Sequence, residues 1–191
     1  MRVLLLVLVA VMSGFCGEDE GYAGPHSLGP FRIDRATQLH SLLEVLGGPG
    51  STKSDLFCYG SRGSGPSLWF HRMAHEPGLV GDLLLSDFAS CMSRPQAPTS
   101  QDLRAWKAEK GIGLGSAEED VLKAYGRPSR QDGISKTTYR WVIQGDRSAG
   151  DLKPERGSRV LVYQGAKHDL SIAEFGFRDG KVVWIFLSIN E

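Results

Sequence analysis

Several places in this 191-residue chain carry residue types whose spacing invites chemistry. The stretch KGIGLGS (residues 110–116) sets Gly111, Gly113 and Gly115 ahead of an apolar-periodic segment, and a glycine loop feeding a helix N-terminus can cradle a phosphate. A Walker-type loop ends in Gly-Lys-Ser or Gly-Lys-Thr, to reach the phosphates and a magnesium ion. This one ends in Leu114, Gly115, Ser116 and Ala117. A dinucleotide loop follows a buried strand, but residues 103–110 (LRAWKAEK) are mostly polar and read as an edge strand or short helix. The loop is therefore expected to be a structural entry into a helix.

His71 and His75 in HRMAHE are four apart, the spacing that aligns metal ligands on a helix, with Glu76 adjacent. The segment follows Leu68-Trp69-Phe70, and on a strand the two rings would sit about 13 Å apart, too far to share one ion. No metal is expected. The run GSRGSGP (residues 60–66) is loop composition, and no Gly-x-Ser-x-Gly stands at a strand-to-helix turn. Cys58 follows an aromatic residue and is a nucleophile only if reduced. Asp82, Asp87 and Glu174 cannot be paired from sequence, so no catalytic residue and no cofactor are assigned.

Composition narrows the partners. The chain has 22 basic and 22 acidic side chains, with no long single-sign run, which points away from nucleic acid and anionic membrane surfaces. Residues 3–12 (VLLLVLVAVM) follow Arg2 and give way to small or polar residues, the layout of a signal peptide over residues 1–16. Ten apolar residues span about 15 Å as a helix, half of a bilayer's hydrocarbon core. Export is expected, to the periplasm or cell envelope. Ser13-Gly14-Phe15-Cys16 resembles a lipoprotein cleavage box with Phe15 where a small residue belongs. The mismatch favours ordinary cleavage near Cys16, with lipidation of Cys16 as the alternative and the one route to a membrane. Cys58 and Cys91 are expected to pair in an oxidising compartment, stabilising by roughly 3 kcal/mol in the chain-entropy picture, against the alternative of two buried thiols.

An internal repeat organises the rest. Residues 37–49 (TQLHSLLEVLGGP) align without gaps on residues 116–128 (SAEEDVLKAYGRP) at an offset of 79 residues. Each opens on a hydroxyl residue suited to N-capping and ends in glycine, where a left-handed residue is needed, with proline soon after. Ser116 and Glu119 have the spacing of a capping box. Strand-like runs follow each copy: 56–59, 67–73 and 79–88 in the first; 137–143, 159–163, 170–177 and 182–189 in the second. Residues 93–101 (SRPQAPTSQ) read as a linker, giving a first repeat over 29–92 and a second over 102–191.

The stretch KGIGLGSAEEDVLKAYGRP resembles the opening segment of the SmpA/OmlA (BamE-like) family of bacterial envelope proteins, in which such a glycine turn leads to a short helix ending in Gly-x-Pro. Two such units in tandem resemble the β-lactamase inhibitor protein (BLIP-like) fold. The first copy departs from the motif, having Arg35-Ala36 where the second has Leu114-Gly115. The resemblance implies an α+β fold of two tandem repeats, each a short helical segment followed by an antiparallel sheet, and protein binding rather than catalysis.

Asp179-Gly180 suits a type I′ turn, which would set Phe177 opposite Val182, Phe175 opposite Trp184 and Ala173 opposite Phe186. Phe175, Trp184 and Phe186 then share an aromatic face with Phe177, with Tyr139 and Trp141 as neighbours, and this is the candidate surface for a protein partner. The alternative is that these aromatics are core. The expectation is an exported, non-enzymatic envelope protein that binds its partner through a sheet face. A secreted enzyme inhibitor is the alternative, and an unrecognised hydrolase a further one.

Overall fold

The computed structural model describes residues 22–33, 37–48, 55–60, 65–73, 75–87, 97–131, 159–165 and 171–189. Its fold is α+β. The described strands are β1 (Ser27–Leu28), β2 (Phe31–Arg32), β3 (Thr37–Gln38), β4 (Leu56–Gly60), β5 (Ser67–Arg72), β6 (Leu79–Ser86), β7 (Ala97–Pro98), β8 (Arg130–Gln131), β9 (Arg159–Gln164), β10 (Ser171–Arg178) and β11 (Lys181–Ile189). The helices are α1 (Leu39–Leu46) and α2 (Glu118–Tyr125). One nine-stranded sheet runs β7-β4-β5-β6-β11-β10-β9-β8, with β3 added on β6, while β1 and β2 form a separate hairpin. Pairing is antiparallel except where β7 joins β4. The expected strands 56–59, 67–73, 79–88, 159–163, 170–177 and 182–189 are present with small shifts of boundary. The run 137–143 lies outside the described residues.

Helix boundaries follow from the glycines. In α1, Leu42 and Leu46 are four apart and both buried, so one stripe faces the sheet. Gly47 ends it at φ 99°, its N–H donating to the carbonyls of Leu43 and Glu44, a conformation that carries no Cβ penalty only for glycine. In α2, Val121 and Tyr125 face the sheet, Glu118, Glu119 and Asp120 fill the first turn where the helix dipole favours negative charge, and Gly126 ends it at φ 74°. The entry differs from the expected box of Ser116 and Glu119. The helix begins one residue later, with Asp120 Oδ2 accepting from the Ala117 N–H, while Ser116 Oγ accepts from the Gly113 N–H. Thr37 is likewise not a cap: it belongs to β3, and its hydroxyl bonds the backbone of Arg32.

Both helices lie on the same face of the sheet. Leu42, Leu46, Val121 and Tyr125 join Phe70, Leu83, Leu85, Phe175, Ile185 and Leu187 in one buried cluster. The hairpin of β1 and β2 was not foreseen, yet it adds Leu28 and Phe31, each 0% exposed, to that cluster. It is held by the Gly29 N–H donating to the Lys107 carbonyl. Part of the expected linker also differs, because Ala97–Pro98 pairs with Tyr59 and Gly60 as an edge strand. Residues 103–110 form 3-10 turns at Leu103–Ala105 and from Glu109, the short-helix alternative rather than an edge strand.

Tyrosines tie the helix ends to the sheet. Tyr59 donates to the Gly48 carbonyl at 2.6 Å, Tyr163 to the Gly126 carbonyl at 3.1 Å, and Tyr125 to the Glu109 carbonyl. Tyr125 stacks on Phe175 and meets Tyr163 edge-on. Burial, then the Glu118 charge, pushes Tyr163 up to about 12, and burial, then Glu109, pushes Tyr125 higher still. The folded state thus holds these protons after the unfolded state releases them near the ordinary tyrosine value of 10.0. The sign follows: the two tyrosines leave stability unchanged below pH 10.0 and lower it as pH rises from 10.0 through about 12. Urea unfolding across that range checks this, and Tyr163→Phe is expected to flatten the decline.

Candidate functional site

The glycine loop is not a ligand cradle. The Gly115 N–H donates to the Val182 carbonyl, the Gly113 N–H to Ser116 Oγ, the Gly111 N–H to the Ala108 carbonyl, and the Glu118 N–H to the Gly180 carbonyl. Those donors are spent inside the fold, and Ile112 and Leu114 are each 5% exposed, in the core. An anion would have to displace internal bonds to reach them.

The expected aromatic face is divided by a β-bulge. The turn forms as anticipated, with Asp179 at φ 51° and Gly180 at φ 70°, and Arg178 opposite Lys181 and Phe177 opposite Val182. Then Val183 is passed over: Gly176 faces Trp184, Phe175 faces Ile185, Glu174 faces Phe186 and Ala173 faces Leu187. The extra residue reverses the facing of everything beyond it on β11. Phe175 and Phe177 therefore pack under the helices, while Trp184 and Phe186 point to the opposite face. The shared surface of Phe175, Trp184 and Phe186 is corrected accordingly. Tyr139 and Trp141 lie outside the described residues.

Trp184 and Phe186 belong to a second buried cluster with Cys58, Trp69, Leu84, Val160, Val162 and Ile172. Its members all come from β4, β5, β6, β9, β10 and β11, and no described helix packs there. The registers lay this face out in rows. One runs Val162, Glu174, Phe186, Leu84, Trp69, Cys58 across the sheet; a second runs Ile172, Ser188, Asp82, His71, Leu56; a third runs Val160, Gly176, Trp184, Ser86, Ser67. Trp184 lies directly over Gly176, where a Cβ would come within 1.9 Å of the indole Nε1.

This face carries buried polar groups that the sequence did not bring together. Glu174 is 0% exposed, Asp82 8%, Ser86 0% and Ser188 1%, and Ser188 Oγ makes no hydrogen bond. His71 Nδ1 stands 3.9 Å from Asp82 Oδ2. Ser188, Asp82 and His71 thus follow one another across adjacent strands. A hydrolytic triad needs histidine between serine and carboxylate; here the carboxylate is in the middle, so His71 is not placed to take a proton from Ser188. Among the described residues there is no group of three or more His, Cys, Asp and Glu side chains that could hold a metal ion. No described helix is long and apolar enough to cross a membrane.

Cys58 is disulfide-bonded on this face, and its partner lies outside the described residues, as do Cys16 and Cys91. Asp82 and Ser188 were hidden from sequence reasoning because the Val183 bulge and a second one at Gly81, where His71 pairs with Asp82 but Arg72 with Val80, decide which way they point. A glycine at Gly176 beside a bulky Trp184 was the available signal, since glycine inside a strand marks a bulge or close approach.

These features define an α+β protein with its helices on one face of a mostly antiparallel sheet. No family model matches the chain, and no curated protein matches it. Among solved structures it is similar to a DUF4309 family protein, YjgB, from Bacillus subtilis subsp. subtilis str. 168, at 12% identity and a TM-score of 0.41, over 80% of this chain and 76% of that one.

Gly176→Ala is expected to lower stability by about 1–3 kcal/mol, since the indole of Trp184 must shift to admit a methyl group. Chemical denaturation with tryptophan fluorescence checks it, and Gly176→Ala combined with Trp184→Leu should recover part of the loss.

Proposed function

We propose that the chain is an exported, non-enzymatic protein-binding module of the bacterial cell envelope, built of two tandem α+β repeats of BamE-like or BLIP-like kind. The observation that carries the reading is that the described helices pack on one face of the sheet alone. Both helices pack on one face, while the other bears Trp69, Trp184 and Phe186 with no described element over it. A sheet with helices on one side can bury only one face against them, and aromatic side chains commonly anchor interfaces. The SmpA/OmlA likeness of residues 110–128 and the signal-peptide layout of residues 1–16 support envelope placement. Trp184 and Phe186 are 6% and 0% exposed, so binding through this face requires its present cover to give way. Trp184 and Phe186 remain the proposed anchors, and Phe175 no longer belongs with them.

Crosslinking in envelope extract, with Trp184→Ala plus Phe186→Ser beside the wild type, tests the proposal. Loss of one reproducible crosslinked partner with the fold retained is the expected result. Unfolding of the variant places the pair in the core and ends the case for this face, as does an unchanged crosslink pattern.

Cys91 is the proposed partner of Cys58, leaving Cys16 for acylation or removal with the signal peptide. Non-reducing peptide mapping is expected to recover a Cys58–Cys91 link. A Cys16–Cys58 link would instead rule out acylation, because it consumes the thiol that a lipid would need.

A further inference from the structure

We infer that the seam between β6 and β11 is an interface between two copies of one α+β unit, with a twofold axis through the Leu84–Phe186 pair. The inference rests on the tandem-repeat reading and goes further, since residues 37–49 and 116–128 say nothing about how two copies would meet. An isologous interface pairs the same surface with itself. Across this seam Leu84 faces Phe186, Ser86 faces Trp184 and Asp82 faces Ser188. If Ser86 corresponds to Ser188 and Asp82 to Trp184, those contacts map onto each other when the halves are exchanged.

Independent features support the same correspondence. β6 carries an extra residue at Gly81, where His71 pairs with Asp82 but Arg72 with Val80, and β11 carries one at Val183. The two bulges stand at equal places relative to the axis. Helix entry is equivalent: the Leu39 N–H donates to the Gly78 carbonyl and the Glu118 N–H to the Gly180 carbonyl, each glycine at the tip preceding its strand. Gln38 pairs with Leu79 as Ala117 pairs with Lys181. The last helical bond also matches, with the Gly47 N–H donating to the Leu43 carbonyl and the Gly126 N–H to that of Leu122, after which the two copies part, at ψ 25° and -151°. Tyr59 and Tyr163 occupy matching places on β4 and β9 and bond the backbone just past α1 and α2.

The correspondence separates the two sheet faces. Under the helices the matched residues keep their character: Val80 and Val182, Leu83 and Ile185, Leu85 and Leu187, Phe70 and Phe175. On the other face Ser86 and Ser188 match and Leu84 and Phe186 are both apolar, but three pairs change character, with Trp69 matching Glu174, Asp82 matching Trp184 and His71 matching Gly176. Packing against a helix constrains both copies alike. The chemical differences between the copies fall at these three pairs of the opposite face.

The test uses the full chain and reads only folding, so its outcome is separate from whether a partner binds. Gly81→Val puts the side chain of Val183 at the matching bulge and is expected to leave the urea midpoint near that of the wild type, since its Cβ meets the flexible Met73 Cγ at 3.0 Å and the Met73 Cα only at 4.0 Å. Gly176→Ala, in register, is the damaging control. Tyr59→Phe and Tyr163→Phe are each expected to lower the folding equilibrium constant by a similar factor, about fivefold. The inference is overturned if Gly81→Val is as damaging as Gly176→Ala, or if one tyrosine variant is neutral while the other is severe.

Discussion

The antiparallel pairing of β6 with β11 is the contact on which the rest of the molecule depends. Without it the chain would be two small sheets, each with an open apolar edge and a core too small to be more than marginal. With it, Leu83 and Leu85 meet Leu187 and Ile185 in one layer beneath the helices, and the two halves share a single cluster. The hairpin of β1 and β2 strengthens this union, because Leu28 and Phe31 come from the start of the chain and Gly29 bonds Lys107 beyond β7.

Two single-residue bulges then decide what each face is made of. A strand alternates its side chains, so one extra residue turns everything after it over. Val183 sends Trp184 and Phe186 away from the helices, and Gly81 does the matching work on β6, setting Val80 inward while Asp82 faces outward with Leu84. Asp82 consequently lies between His71 and Ser188, and Glu174 between Val162 and Phe186, on the face away from the helix-side core.

The arrangement also limits the chemistry. The glycine loop spends its donors on Val182, Ser116 and Ala108, so its role is to seat α2. Ser188, Asp82 and His71 are neighbours in the wrong order for activating a hydroxyl. What remains is a buried face of mixed aromatic and acidic side chains on the side of the sheet away from the two helices.

By itself the sequence determined the pieces whose causes are local. Gly47 and Gly126 ended the helices because only glycine takes those backbone angles cheaply, Asp179-Gly180 made the turn, and the runs of β-branched and aromatic residues became strands near their expected limits. Similarity between residues 37–49 and 116–128 pointed to matching helices in advance. Tertiary structure decided the rest. Phe175 parted from Trp184 because a bulge is a choice made between strands, driven by how Trp184 packs over Gly176, and no single strand encodes it. The pairing of Ala97–Pro98 with Tyr59 and Gly60 and the meeting of Ser188 with Asp82 were likewise invisible, since each joins residues far apart in the chain; the β1–β2 hairpin is local, but what seats it, the Gly29 bond to Lys107, is not.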